Sequence, residues 1–490
     1  MSSVIHAASR RATAGGGNSR KVLGIFALAM INVAAVLSLR NFPSMAVYGW
    51  SSVTWYVLGA VLFLLPSAFV GAELASGWPE GGGVYAWVKE AFAEEMGFLA
   101  IWCEWSENLV WFPTVLAFLA ATLAYVIEPS LATNKVFLVA TMIAMFWATT
   151  VANFLGARAS SLLSSIGVIA GSIIPGAVIV VLAFVWLFQQ KATQIPFTMH
   201  ALSPDLSPGN LPFVGTVVLL FAGMEMAGFH ALDVRNPQRD YPRAMGISAL
   251  IIVLVSVVGT LALAIVIPVK QINLTSGIVQ AFDEFFRGFG AGWLTRPMAL
   301  LIAVGALALL STWLIGPAKG LESAAQAGDL PKLWRKENSR HVPVDVLVIQ
   351  AVVSTLACFL YIVVPSVNTA YWMLSAMTVQ VLAIMYILFF AAAIRLRYTQ
   401  PDRPRPYRIP GGMAGIWLVG GAGCLACTFT FVIGFVPPTG LTTQGPAQYV
   451  LTMIGGTLLL SLPPFIFYRF RRPGWRASKA ELAVAQGATA

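Results

Sequence analysis

Residues 22–49 read VLGIFALAMINVAAVLSLRNFPSMAVYG. From Val22 to Leu39 the run carries no charge, and it is close to the roughly 20 apolar residues that a bilayer-spanning helix needs. Arg40-Asn41-Phe42-Pro43 then interrupts it with a cation, an amide and a proline. Proline removes a backbone donor and its ring clashes with the preceding turn. Inside hydrocarbon, a chain unwinds only where its freed N–H and C=O groups line a cavity or meet protein or ligand. This one stretch therefore predicts an α-helical membrane protein with a cavity at the depth of Arg40.

Moving outward, the same apolar length recurs along the chain. It gives about twelve spans, at 22–49, 51–76, 97–126, 135–155, 161–187, 211–232, 244–269, 293–324, 344–364, 370–394, 412–436 and 449–468. Turn chemistry separates them, as in Pro79-Glu80-Gly81-Gly82-Gly83, Ser207-Pro208-Gly209-Asn210, Asn236-Pro237 and Pro437-Pro438. Composition agrees. Of 490 residues, 58% are hydrophobic and 10% charged, whereas soluble domains carry about 25% charged residues. The fold class is all-α membrane protein.

The net charge of +10 suggests nucleic acid only if its cations gather on one folded face. They do not. Basic residues sit in short blocks between alternate spans: Arg10, Arg11, Arg20 and Lys21; Arg158; Arg235, Arg239 and Arg243; Lys332, Arg335, Lys336 and Arg340; Arg395, Arg397, Arg403, Arg405 and Arg408; then Arg469, Arg471 and Arg472. This is the signature of membrane orientation, with both termini cytoplasmic, and no nucleic-acid partner is needed to explain it. Residues 1–21 are polar, Gly-rich and basic, lack the apolar core of a signal peptide, and read as a disordered cytoplasmic tail; 471–490 form a second tail. Cys103, Cys358, Cys424 and Cys427 lie in apolar runs and read as packing residues. No cluster of His, Cys, Asp and Glu has metal-ligand spacing. Gly81-Gly82-Gly83 lacks the strand and lysine of a phosphate loop, so no cofactor is expected.

A second interruption stands in the sixth span, where 223–228 read GMEMAG, two glycines bracketing Glu225. Each break alone is explained by a kink or a glycine packing site. Two breaks five spans apart, each with an ionisable residue, point instead to inverted repeats with a ligand at the midplane. Charges within hydrocarbon mark function or find a partner, and Arg40, Glu104, Glu107 and Glu225 are the ones to place. Glu104 and Glu107 lie three apart on one helix face and repel when both are ionised, so one carries a proton or a cation lies nearby. Arg40 either pairs with Glu107 or holds a ligand carboxylate. Glu73, near the cytoplasmic end of the second span, suits a structural or gating role. His230 and Asp233 fall at the cytoplasmic end of the sixth span and read as hydrogen-bonding residues.

Four stretches carry a resemblance: 79–88 (PEGGGVYAWV), 223–228, 235–245 (RNPQRDYPRAM) and 313–320 (WLIGPAKG). Together they resemble the amino acid–polyamine–organocation transporter superfamily, and within it the bacterial glutamate–GABA antiporter group. The resemblance implies a LeuT-like fold of two five-helix inverted repeats (22–190 and 210–397) plus two further helices (412–470), working by alternating access in a bacterial inner membrane. It implies a small-molecule substrate, an amino acid or, alternatively, a polyamine or cationic amine. Glu225, flanked by Gly223 and Gly228, matches that group's sixth-span glutamate on the substrate path. Trp313 matches its eighth-span tryptophan, a wall or gate. Arg40 stands where that group has a tyrosine, and Leu309 where it has a glutamate. The Gly-Ser-Gly signature by which many relatives bind the substrate α-carboxylate is absent from the first span; Arg40, with Asn41, Ser44 and the backbone between them, takes that role in this reading. An integral-membrane enzyme would need a nucleophile, metal or cofactor motif, and the sequence shows none.

The charge alternation fixes a testable topology. Cysteine labelling or reporter fusions should find Gln194 outside and Pro401 inside; the same side for both overturns the map.

Overall fold

In the computed structural model, residues 24–79, 83–154, 167, 169–196, 198–204, 206–207, 209, 211–224, 236–340, 342–438 and 445–477 are described. No strand occurs among them. In chain order the helices are α1 (Ile25–Val36), α2 (Phe42–Ala46), α3 (Gly49–Gly77), α4 (Val84–Ala91), α5 (Glu94–Ile127), α6 (Lys135–Asn153) and α7 (Ala170–Phe188). They continue with α8 (Gly215–Phe221), α9 (Gln238–Val266), α10 (Gly277–Gly288), α11 (Gly292–Ala327), α12 (Val344–Val363), α13 (Val367–Thr399), α14 (Gly412–Ile433) and α15 (Pro446–Arg469).

Ten of these, α3, α5, α6, α7, α9 and α11–α15, are long and apolar enough to cross a bilayer. The remaining two expected spans, the first and the sixth, are the ones in which the sequence placed breaks. The first is divided into α1 and α2. The sixth begins with α8 and stops at Ala222, beyond which 225–235 lie outside the described residues. Phe188, Leu418 and Leu459 expose 90%, 74% and 75% of their surface, which in water would be a liability but in lipid is ordinary solvation. This is a multi-pass membrane protein.

The helices α5 and α13 form the centre, since 78% of the apolar window of each is buried by protein, and they pack on each other and on α11 and α14 respectively. At 34 residues, α5 is about 51 Å long at 1.5 Å per residue, enough to cross the bilayer and carry side chains at every depth. The position of α11 is set by small residues, because a Cβ on Gly305 would lie 2.5 Å from Gly171 Cα of α7. Backbone approach of this kind supplies the dispersion contacts that hold helices together where lipid offers no hydrophobic drive. The short α2 is wedged similarly: Phe42 packs where Gly259 of α9 has no side chain, a Cβ there falling 2.4 Å from the ring. The amphipathic α10 buries Ile278, Phe282, Phe285 and Phe286 and packs beside α2.

Glu73 on α3 is fully buried and forms an ion pair with Arg397 of α13, whose Nη2 donates to Glu73 Oε2 at 2.6 Å. The Ile409 amide donates to the same oxygen at 2.8 Å, and Arg405 Nε lies 3.4 Å from Oε1. Arg397 Nη2 also donates to the Ile409 carbonyl at 3.0 Å. The loop between α13 and α14 is thereby tied under the end of α3. Burial acts on this loop's titrating groups too: it lowers the Arg405 pKa, an effect partly offset by the Glu73 carboxylate, and raises that of Tyr407. Removing one partner of a buried pair leaves an uncompensated charge and costs about 3–5 kcal/mol. Glu73→Gln should therefore melt early in detergent, and Glu73→Gln with Arg397→Met should recover part of the loss. A single variant as stable as the parent would show that the pair contributes nothing to folding.

Candidate functional site

The two breaks meet. After α1 the chain runs extended through Leu37 and Ser38, then coils into a 3₁₀ turn at Leu39–Asn41 before α2. The unwinding thus precedes the Arg40–Pro43 tetrapeptide on which the sequence placed it. Pro43 itself sits in the first turn of α2, where a missing N–H leaves no helical bond unmade. In the sixth span, α8 ends at Phe221, Ala222 is extended, and Gly223 takes φ +100°, a conformation open to glycine at no steric cost. The Gly223 amide, freed from the helix, donates to the Tyr386 hydroxyl of α13 at 3.0 Å.

Between the breaks lies a cavity partly open to solvent. Its walls take Leu37, Ser38, Arg40 and Asn41 from the first break, Ala222 from the second, Glu104, Glu107 and Trp111 from α5, Leu309 and Trp313 from α11, and Tyr386 from α13. The carboxyl-terminal ends of α1 and α8 both run into this space. Helix carboxyl ends carry partial negative charge and favour cations.

Arg40 is 2% exposed. Its Nη1 donates to Thr114 Oγ1 at 2.5 Å and to the Tyr371 hydroxyl at 3.3 Å. Thr114 is free to accept because its own proton goes to the Trp111 carbonyl, at 2.7 Å. The guanidinium also faces the rings of Trp111 and Tyr371, 5.4 and 5.8 Å from their centroids, a cation–π contact on each. Among the described residues no ion pair joins Arg40 to a carboxylate, and its buried Nε–H has no hydrogen-bond partner there. Among the described residues, the partners of this buried cation are neutral.

Along α5, Glu104, Glu107, Trp111 and Thr114 follow one stripe. Thr114 lies about 10 Å along the axis from Glu107, so Arg40, held at Thr114, marks one end of the cavity and the carboxylates mark the other. Trp111 extends to Trp313 with ring centroids 5.5 Å apart, making an aromatic wall between α5 and α11.

Of the residues singled out in the sequence, Arg40, Asn41, Glu104, Glu107 and Trp313 come together here. Ser44 is buried within α2 and Gly223 is bonded to Tyr386; neither lines the cavity. Glu73 lies apart, in its pair with Arg397. Glu225, Gly228, His230 and Asp233 fall outside the described residues. Sequence reasoning passed over Trp111, Thr114, Tyr371 and Tyr386. The first two were within reach, four and seven residues beyond Glu107 on its own face; the tyrosines, on a distant helix, left no local signal.

Comparison with known proteins fits this geometry. The chain is 42% identical over 450 residues to an uncharacterised transporter of Legionella pneumophila, covering 92% of this chain and 97% of that one. It is 30% identical over 457 residues to a glutamate/gamma-aminobutyrate antiporter of Lactococcus lactis, covering 92% and 91%, and 23% identical over 402 residues to a probable agmatine/putrescine antiporter of the same species, covering 80% and 84%. Residues 23–459 match the amino acid permease family. With a broken first span, a sixth that leaves its helix at Ala222, and a cavity between them that holds Arg40, Glu104 and Glu107, the chain belongs to the amino acid permease family of transporters.

Proposed function

We propose that this transporter carries zwitterionic amino acids across a bacterial inner membrane by alternating access between two inverted repeats, both termini being cytoplasmic. Substrate binds at the midplane between the interrupted first and sixth spans. The observation that carries this reading is Arg40, a buried guanidinium on the cavity wall whose hydrogen bonds go to hydroxyls. A substrate carboxylate offers it a charge-assisted, bidentate partner that those hydroxyls do not. The substrate ammonium then faces Glu104, Glu107 and the carbonyl ends of α1 and α8. Asn41 completes the carboxylate end, and Trp313, packed at a tilt against Trp111, gates the cavity. Glu225 follows Gly223 by two residues and holds the amino group or a coupling proton.

A second reading, exchange of polyamines or other cationic amines, is favoured by the paired carboxylates Glu104 and Glu107 and by the agmatine/putrescine relative. Arg40 in the same cavity opposes it, since a buried cation repels a substrate that is wholly cationic.

Counterflow into proteoliposomes distinguishes the two. Removing a buried cation that lacks a carboxylate partner among the described residues relieves a desolvation cost, so Arg40→Gln should melt no earlier than the parent. Losing a charged hydrogen bond worth about 3 kcal/mol should lower kcat/KM for amino acids about a hundredfold, while the decarboxylated amines lose little. A variant that neither changes substrate preference nor keeps its stability removes Arg40 from the site. For Glu225, replacement by Gln should abolish net transport or flatten its pH profile at nearly normal membrane levels. Parental uptake with an unchanged pH profile would reduce Glu225 to a packing residue.

A further inference from the structure

The cavity is divided in its chemistry. Its charged side chains among the described residues, Arg40, Glu104 and Glu107, come from the first span and α5. The side built from the sixth span, α11 and α13 presents five apolar side chains, Leu219, Leu220, Leu309, Leu382 and Met385, beside Trp313 and Tyr386, whose hydroxyl accepts from the Gly223 amide. None of these five carries a hydrogen-bonding group stronger than a thioether. A charged or amide group buried against them would lose its water without gaining a partner, whereas an aliphatic chain would gain contact and lose unfavourable hydration.

We propose that this wall is a side-chain subsite, and that the protein selects amino acids with an aliphatic or thioether side chain over dicarboxylates and diamines, an inference that rests on the cavity being the substrate site. Charge matching leads to the same class. A simple zwitterion brings one carboxylate for Arg40 and one ammonium for the Glu104–Glu107 end. A dicarboxylic amino acid brings a second carboxylate, which meets either the apolar wall or a like charge. A diamine brings no anion for Arg40 and sets one ammonium against leucine. Leu309 is the residue on which the selection turns. It lies one helical turn from Trp313 on α11, four residues after the Gly305–Gly171 contact that fixes the depth of that helix.

The test uses purified full-length protein in liposomes loaded with leucine, with uptake of labelled leucine, methionine, alanine, glutamate and putrescine. Hydrophobic pockets discriminate by about tenfold or more per methylene-sized difference. Leucine and methionine should accordingly exceed alanine by at least about tenfold in kcat/KM, with glutamate and putrescine lower still. Leu309→Glu should cut the leucine-to-alanine ratio by about tenfold or more. Met385→Ala, which removes volume and adds no charge, should shift preference toward phenylalanine and serves if the glutamate variant fails to reach the membrane. Glutamate or putrescine carried as well as leucine, or a leucine-to-alanine ratio unmoved in both variants, overturns the subsite. Isoamylamine carried as well as leucine would remove the carboxylate role of Arg40 and leave the side-chain preference standing, so the two readings fail separately.

Discussion

A backbone amide or carbonyl in the hydrocarbon core has no water to turn to, and that constraint governs everything else in this chain. Ten helices meet it largely within themselves, with Pro113, Pro242 and Pro317 interrupting the ladders of α5, α9 and α11. The first and sixth spans do not, and they come to the same place. Residues 37–38 are extended, and 222–223 leave the helix through an extended alanine and a glycine at φ +100°. The freed groups are satisfied locally where they can be, as Gly223 is by Tyr386. The remainder border a cavity. Breaks in a membrane helix are costly except where protein or such a space meets the freed groups, and here both do.

Holding two broken helices in register requires rigid neighbours, and the packing supplies them through close contacts. Phe42 fills the space left by Gly259, which fixes the segment one residue beyond Asn41. Gly305 against Gly171 sets the depth of α11, and with it Leu309 and Trp313. The long α5 supplies Glu104, Glu107, Trp111 and Thr114 from a single continuous helix. The cavity-lining groups thus divide between a continuous helix and two interrupted segments.

Much of this was written in the sequence. Apolar run lengths gave the spans, because the bilayer imposes the same thickness on each. Arg40 with Pro43 marked the first break and Gly223 the second, but a charge or a proline alone does not decide it, since α5 carries Glu104, Glu107 and Pro113 and stays helical throughout. Glu104 and Glu107 were placed on one face by their spacing. The break itself falls at Leu37–Ser38, earlier than Pro43, because proline is well accommodated in the first turn of the helix that resumes. What stayed illegible was pairing across distance. Tyr371 lies 331 positions from Arg40 and Arg397 lies 324 from Glu73, and no local pattern reports which buried groups those folds bring together.

The two buried arginines show how the same side chain is put to opposite uses. Arg397 is saturated: it meets Glu73 in two-point contact and donates further to the Ile409 and Gly412 carbonyls. Each of its favourable interactions is made within the protein, so it locks α3, α13 and the loop beyond α13 together and has nothing left to offer a ligand. Arg40 is as deeply buried and shares one nitrogen between two hydroxyls, faces two aromatic rings, and leaves its Nε–H without a partner among the described residues. Neutral acceptors hold a guanidinium in place but are about half as strong as ionised ones. A cation kept in that condition at the edge of a cavity is positioned, desolvated and still unsatisfied. Pairing it with a fixed glutamate would give it the charge-assisted contacts that Arg397 has and leave it, like Arg397, with nothing to offer a ligand.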